Sequence, residues 1–186
     1  WAGCSQNEEE VPGNVRNGIV LNVTDTGLIS NEPSTRTEDT GFVTTFTQGD
    51  QIGLFAVKDG SILDEINNMP FTFNGSSWSG KPILYDDRLA GVTFYAYYPY
   101  QSEMTGKTDL TGDDFFAPLV AGWELTTEQS EQKTYAKQDL MTSNATALIG
   151  ENGNYTLSFQ LTHRMSLLVV KLPSTRYIFT DAEGVA

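Results

Sequence analysis

The sequence predicts an all-β protein, a β-sandwich, from three observations. Gly, Thr and aromatic residues are abundant; turn signals recur about every ten residues; and apolar residues alternate with polar ones over long stretches. The 186 residues are enough to bury a sizeable core. With 39% hydrophobic residues and a mean hydropathy of −0.30, no apolar run approaches the roughly 20 residues that cross a bilayer as a helix.

The elements follow in order. Ile19-Val20-Leu21-Asn22-Val23-Thr24 reads as the first strand, with Ile19, Leu21 and Val23 on one face. Residues 26–40, crowded with Asn, Glu, Pro, Ser and Asp, read as a loop. Gln51 to Val57 is a near-continuous apolar run between Gly49-Asp50 and Lys58-Asp59-Gly60, which predicts a central strand buried on both faces. Phe71-Thr72-Phe73 and Trp78 flank Asn74-Gly75, a pair suited to the positive φ of a type I′ hairpin turn. Val92 to Tyr98 is the next strand, closed by Pro99. Residues 101–135, rich in Thr, Asp, Gly and Glu, read as a long excursion with short strands or a helical turn, and such excursions are often functional. From Tyr155 to Leu172, Leu157, Phe159, Leu161, His163, Met165 and Leu167 alternate with polar residues in one long half-buried strand.

The 24 acidic and 11 basic residues give a net charge of −13, which excludes nucleic acid and anionic membrane surfaces as partners. Cys4 is the only cysteine, so an intramolecular disulfide is excluded. It directly follows Ala2-Gly3, the small pair with which a lipoprotein signal ends. Residues 1–4 are therefore expected to close such a signal, most of it lying before Trp1, with Cys4 carrying the lipid. Residues 5–17 are expected to be a flexible acidic tether. A lone structural cysteine is the plain alternative.

A search for catalytic chemistry finds little. One His and one Cys do not make a zinc site, no glycine-rich loop opens a helix, and no metal or cofactor is expected. His163 falls on the apolar face of the long strand and reads as a core histidine bonded to a neighbour, with Arg164 on the opposite face. Asp86-Asp87 and Asp113-Asp114 read as solvated loop charge, since adjacent strand residues face opposite ways and the spacing of a calcium loop is missing. Tyr95, Tyr97, Tyr98 and Tyr100 read as half core and half packing, with an exposed aromatic platform as the alternative. The sequons at Asn22, Asn74, Asn144 and Asn154 read as chance in an Asn- and Thr-rich chain.

Several segments in a fixed order carry a resemblance. They are the lipobox cysteine and acidic tether, Thr35-Arg36-Thr37, Gln48-Gly49-Asp50-Gln51-Ile52-Gly53-Leu54-Phe55, the hairpin with Trp78, and Val92-Thr93-Phe94-Tyr95-Ala96-Tyr97-Tyr98-Pro99-Tyr100. Lys137-Gln138-Asp139-Leu140-Met141 and Leu157 to Ser166 complete the set. Over most of residues 1–172 the chain resembles the N-terminal part of the fimbrillin-like lipoproteins of anaerobic gut and oral bacteria.

The resemblance implies a transthyretin-like β-sandwich over residues 18–172, with 173–186 a linker or the truncated start of a second domain. It also implies a non-catalytic surface lipoprotein, anchored in the outer membrane, that serves as stalk, tip or anchor of a fimbria. Its partners would be other fimbrial subunits, and host proteins or glycans. In polymerising members of the family a protease cuts after a basic residue near the first strand, and a neighbour's strand fills the groove. Arg36 follows the first strand and is the preferred candidate, because cleavage there would release Ile19, Leu21 and Val23; cleavage at Arg16 would only trim the tether. Two rivals stand beside this reading. One is a surface glycan-binding lipoprotein using Trp78, Trp123 or the tyrosines, and the other a hydrolase pairing Asp86 or Asp113 with a distant carboxylate.

Overall fold

A computed structural model describes residues 18–26, 45–127 and 137–166. The expectations for residues 1–17, 26–40 and 173–186 thus lie largely or wholly outside the described residues. So do those for Cys4, Arg16, Arg36 and the strand beyond Ser166.

The first strand, β1, runs from Ile19–Asp25 with its odd-numbered residues facing inward. The central strand β2, Gln51–Lys58, is followed by the short β3, Ser61–Ile62. The predicted hairpin is β4, Met69–Phe73, and β5, Trp78–Gly80. β6 spans Thr93–Tyr98, one residue shorter than the sequence suggests. Three short strands follow: β7, Met141–Ser143; β8, Thr146–Ala147; and β9, Ile149–Glu151. The long strand β10 is Asn154–His163.

These strands form one sheet in the order β1-β10-β7-β6-β2-β4-β5. β1 runs parallel to β10, in register from Ile19 against Tyr155 to Asp25 against Leu161. Every other pairing is antiparallel. The sheet folds over so that its two ends meet: the Ile19 N–H donates to the Ile83 carbonyl at 2.9 Å, and Gly18 bridges to Leu84. The inner face closes on a core of Leu21, Leu157, Phe159 and Leu161 from one half and Ile52, Leu54, Phe71 and Phe94 from the other. This is the all-β sandwich expected, and it follows from period-two alternation: each strand puts every second side chain on that face.

One local expectation is corrected and a second is extended. The hairpin closes with a four-residue loop, not a two-residue type I′ turn. Asn74 donates its N–H to the Ser77 carbonyl, while its side-chain Oδ1 accepts from the Ser76 and Ser77 N–H groups. Gly75 takes the positive φ of +102° and Asn74 does not, so the asparagine works through its side chain.

Residues 101–135 hold the helical turn expected, and their described part also covers the sheet. Their polar composition hides a lid. Met104, Phe115, Phe116 and Leu119, the last on the short helix α1 at Ala117–Ala121, pack with Leu140 over Phe55 and Tyr97. Phe55 and Tyr97 are the outward side chains of β2 and β6, so this excursion is what buries the second face of the central strand. Phe115 stacks on Tyr95 with centroids 4.2 Å apart, and Phe116 meets Phe55 and Tyr97 at 6.1 and 5.4 Å.

Candidate functional site

No helix among the described residues is long and apolar enough to cross a membrane. Nor do three His, Cys, Asp or Glu side chains among them converge as a metal site. The candidate sites are therefore a strand edge and two cavities.

β1 borders β10 along its whole length and meets the other end of the sheet only near its start. Leu21 is 6% exposed, and Ile19 and Val23 are partly buried against the same core. Val20, one position out of phase, is 59% exposed. Thus one edge strand with three inward aliphatic side chains covers Leu157, Phe159 and Leu161, all at most 2% exposed. If β1 left, the edge of β10 would present a row of unpaired backbone groups beside an open apolar groove.

The titratable residues singled out from sequence have structural partners. His163 Nδ1 lies 2.7 Å from Asp139 Oδ2, with the imidazole 4% exposed. That hydrogen bond lifts the histidine above its ordinary value against the opposing effect of burial, with a further push from the Asp25 charge. Arg164, on the other face, pairs with Asp114. The Asp114 Oδ1 also accepts from the Phe116 N–H. Asp86 accepts from the Arg88 N–H and side chain, which hold its carboxyl below the usual carboxylate range. Half of each aspartate doublet is thus not merely solvated charge: Asp86 caps the turn Asp87–Leu89, and Asp114 ties the excursion to β10. Asp87 and Asp113 are exposed.

The aromatic candidates separate clearly. Tyr97 and Tyr98 are 0% and 4% exposed and offer no platform. Burial pushes both hydroxyls well above their ordinary value. Trp78 packs on Phe46 and Phe73, with centroids at 5.1 and 5.2 Å. Trp123 instead lines a cavity of about 310 Å³ together with Gln101, Lys107, Glu124, Lys137 and Gln138. A second cavity, about 500 Å³, lies beside the stacked rings of Tyr85 and Tyr155, whose centroids are 3.8 Å apart. None of Asp86, Asp87, Asp113 and Asp114 lines either cavity. The sequence singled out Trp123 as a stacking candidate but not the cavity around it, whose residues are scattered from 101 to 138; the Phe115-Phe116 pair was the available sign that this stretch folds onto the sheet.

With this geometry described, the chain can be set beside known proteins. The model of the family described as fimbrillin-like matches residues 35–186. A protein of Bacteroides ovatus assigned as fimbrium tip subunit Fim1C is 95% identical over all 186 residues, which span 35% of that protein. The crystal structure of a fimbrial protein from the same species is 91% identical, with a TM-score of 0.79 over 93% of this chain and 34% of that one. The chain thus spans about a third of the length of each relative.

Proposed function

This chain belongs to the fimbrillin-like family, and on that premise we propose that it works as part of a non-catalytic fimbrial subunit at the cell surface. The observation that carries the reading is the 95% identity to a protein assigned as a fimbrium tip subunit. That near-identity over all 186 residues favours the tip among the stalk, tip and anchor roles.

The finer reading is assembly by strand exchange from a lipoprotein precursor. Cys4 is the lipid attachment point and holds the precursor in the outer membrane. Cleavage after Arg36 disconnects β1, and a neighbouring subunit's strand fills the groove over Leu157, Phe159 and Leu161. What supports this is the placement of β1: it lies at the end of the strand order and is joined along its length to β10 alone. A donor strand that restores the seven register pairs and the three apolar contacts recovers what β1 supplied. Its partners are other fimbrial subunits, and a terminal subunit needs only one of the two connections that a stalk subunit makes.

The test is limited digestion of the purified chain with an Arg-specific protease, read by mass spectrometry and native gels. A clean cut at Arg36 followed by higher assemblies, with Arg36→Ala remaining monomeric, is the expected result. Resistance, or a cut at Arg16 alone with no change of state, would overturn strand release. Cys4→Ala is expected to abolish acyl labelling in cells, and continued labelling would overturn the lipid assignment.

A further inference from the structure

The geometry points to a binding site for a carboxylate-bearing sugar, such as a uronic or sialic acid residue, in the cavity at Trp123. Part of its wall is fixed by hydrogen bonds. The indole Nε1 donates to the Gln138 carbonyl at 2.8 Å, which fixes the ring and uses its single polar atom. The indole therefore gives the cavity an apolar surface alone. The Gln138 Oε1 accepts from the Thr126 N–H at 2.8 Å. The backbone of Gln101 is held by the buried Tyr97, whose hydroxyl accepts the Gln101 N–H at 3.0 Å, and by Asn68, which donates to its carbonyl at 2.8 Å. A cavity of about 310 Å³ bounded by anchored groups loses little freedom when a small ring enters.

The charges select the ligand. In a chain of net charge −13, two of its six lysines, Lys107 and Lys137, line this one cavity. Among the other described cations, Lys58 donates to the Arg88 carbonyl, Arg88 pairs with Asp86 and Arg164 with Asp114, while Lys81 is exposed and lines neither this cavity nor the one at Tyr85. Two ammonium groups favour a carboxylate, the Gln101 side-chain amide suits a hydroxyl group, and Glu124 accepts from a further hydroxyl. The indole matches the C–H face of a pyranose. Neither the guanidinium fork nor the glycine-rich nest that phosphate recognition favours is among the lining residues. This inference stands on the cavity alone and does not rest on the fimbrial reading, which the protease experiment tests separately.

Titration of the 186-residue chain by calorimetry and saturation-transfer NMR tests it. The probes are glucuronic, galacturonic and N-acetylneuraminic acids, set against glucose, galactose and acetate. At least one acidic sugar is expected to bind, with Lys107→Gln/Lys137→Gln weakening it roughly tenfold through loss of the charged hydrogen bonds. That double variant keeps the fold, as its unchanged melting temperature should show, and Trp123→Phe is expected to weaken binding as well. Equal binding of neutral sugars would overturn the acidic assignment, and equal affinity for acetate would overturn the sugar. Absence of binding, or binding indifferent to the lysine changes, would overturn the site.

Discussion

The ring of Tyr97 occupies the space in which any residue other than glycine at position 53 would place its Cβ. The two residues are directly paired across β2 and β6, and a Cβ built on Gly53 would overlap that ring and lie 2.7 Å from Asn68 Oδ1. Gly53 is needed for this close approach, not for an unusual φ. The tyrosine hydroxyl in turn donates to Asn68 Oδ1 at 2.8 Å and accepts from the Gln101 N–H. One glycine thus lets a fully buried phenol lie flat on the central strand and lock the start of the excursion that covers it.

Gly53→Ala is therefore expected to destabilise the chain by about 1–3 kcal/mol through overpacking. Tyr97→Phe removes the hydroxyl but keeps the ring, and is expected to cost about 1–3 kcal/mol by stranding the Gln101 N–H and Asn68. Because a ring released from its hydroxyl bonds can shift away from the new methyl group, the double variant should cost less than the sum of the two. Urea denaturation of the four proteins of this cycle checks it; strict additivity would show that the two residues are not coupled.

The described part of the excursion, residues 101–127, is held to the sheet by its aromatic pair. Phe116 is fully buried between Phe55 and Tyr97, so Phe116→Ala is expected to cost about 3–5 kcal/mol. The exposed Leu110→Ala, 43% exposed in the same stretch, serves as the control and should fall within about 0.5 kcal/mol of the parent. Thermal unfolding measures both. If Phe116→Ala were neutral, the excursion would not be part of the core.

A pH dependence follows from the pair at the end of β10. The hydrogen bond to Asp139 raises the His163 pKa above its ordinary 6.5, with burial opposing it and Asp25 adding to it. A folded value above the unfolded one means the protonated histidine is the form that folding favours. Its contribution is fully present below the ordinary value and is lost as pH rises through the raised one. Stability is thus expected to decline on the alkaline side of 6.5. Asp139→Asn should flatten that decline. Because His163 is the only histidine, its imidazole resonances can be followed directly by NMR through the titration. A midpoint at or below the ordinary value would sink the prediction.

The strands that alternate cleanly were legible in sequence. Leu157, Phe159 and Leu161 on β10, and Ile19, Leu21 and Val23 on β1, announce their buried face by period alone. The run from Ile52 to Val57 reads correctly as a strand covered on both sides. What covers it was only partly legible: Phe115, Phe116, Leu119, Val120 and Trp123 follow a helical period around α1, but polar turns separate Met104 from them and no local pattern says that they dock on Phe55 and Tyr97. The parallel pairing of β1 with β10 was likewise hidden, since partners more than a hundred residues apart leave no local sign. The resemblance segments gain a physical meaning in the structure. Gly53 and Tyr97 join two of them by a close approach, and Asp139 and His163 join two more by a hydrogen bond. The Trp123 cavity draws its lining from residues 101–138, so no spacing within the sequence announces it.

The strand-release reading makes a prediction that does not depend on observing polymers. Once the chain is cut at Arg36, β1 is held only by its contacts with β10 and the core, and a synthetic Gly18–Thr26 peptide should compete for the vacated groove. The peptide binds through the parallel register that sets Leu21 against Leu157 and Val23 against Phe159. Leu21→Asp in the peptide would bury a carboxylate against Leu157 and Phe159, and should remove binding altogether. Asn22→Asp, whose side chain lies on the exposed face, should leave it nearly unchanged. Fluorescence anisotropy of labelled peptides against cut and uncut chain reads all three outcomes. Binding to the cut chain alone, lost with Leu21→Asp and kept with Asn22→Asp, is the expected pattern. Equal binding by the two variants would show that the inward face of β1 does not select what fills the groove, and the strand-exchange reading would fall with it.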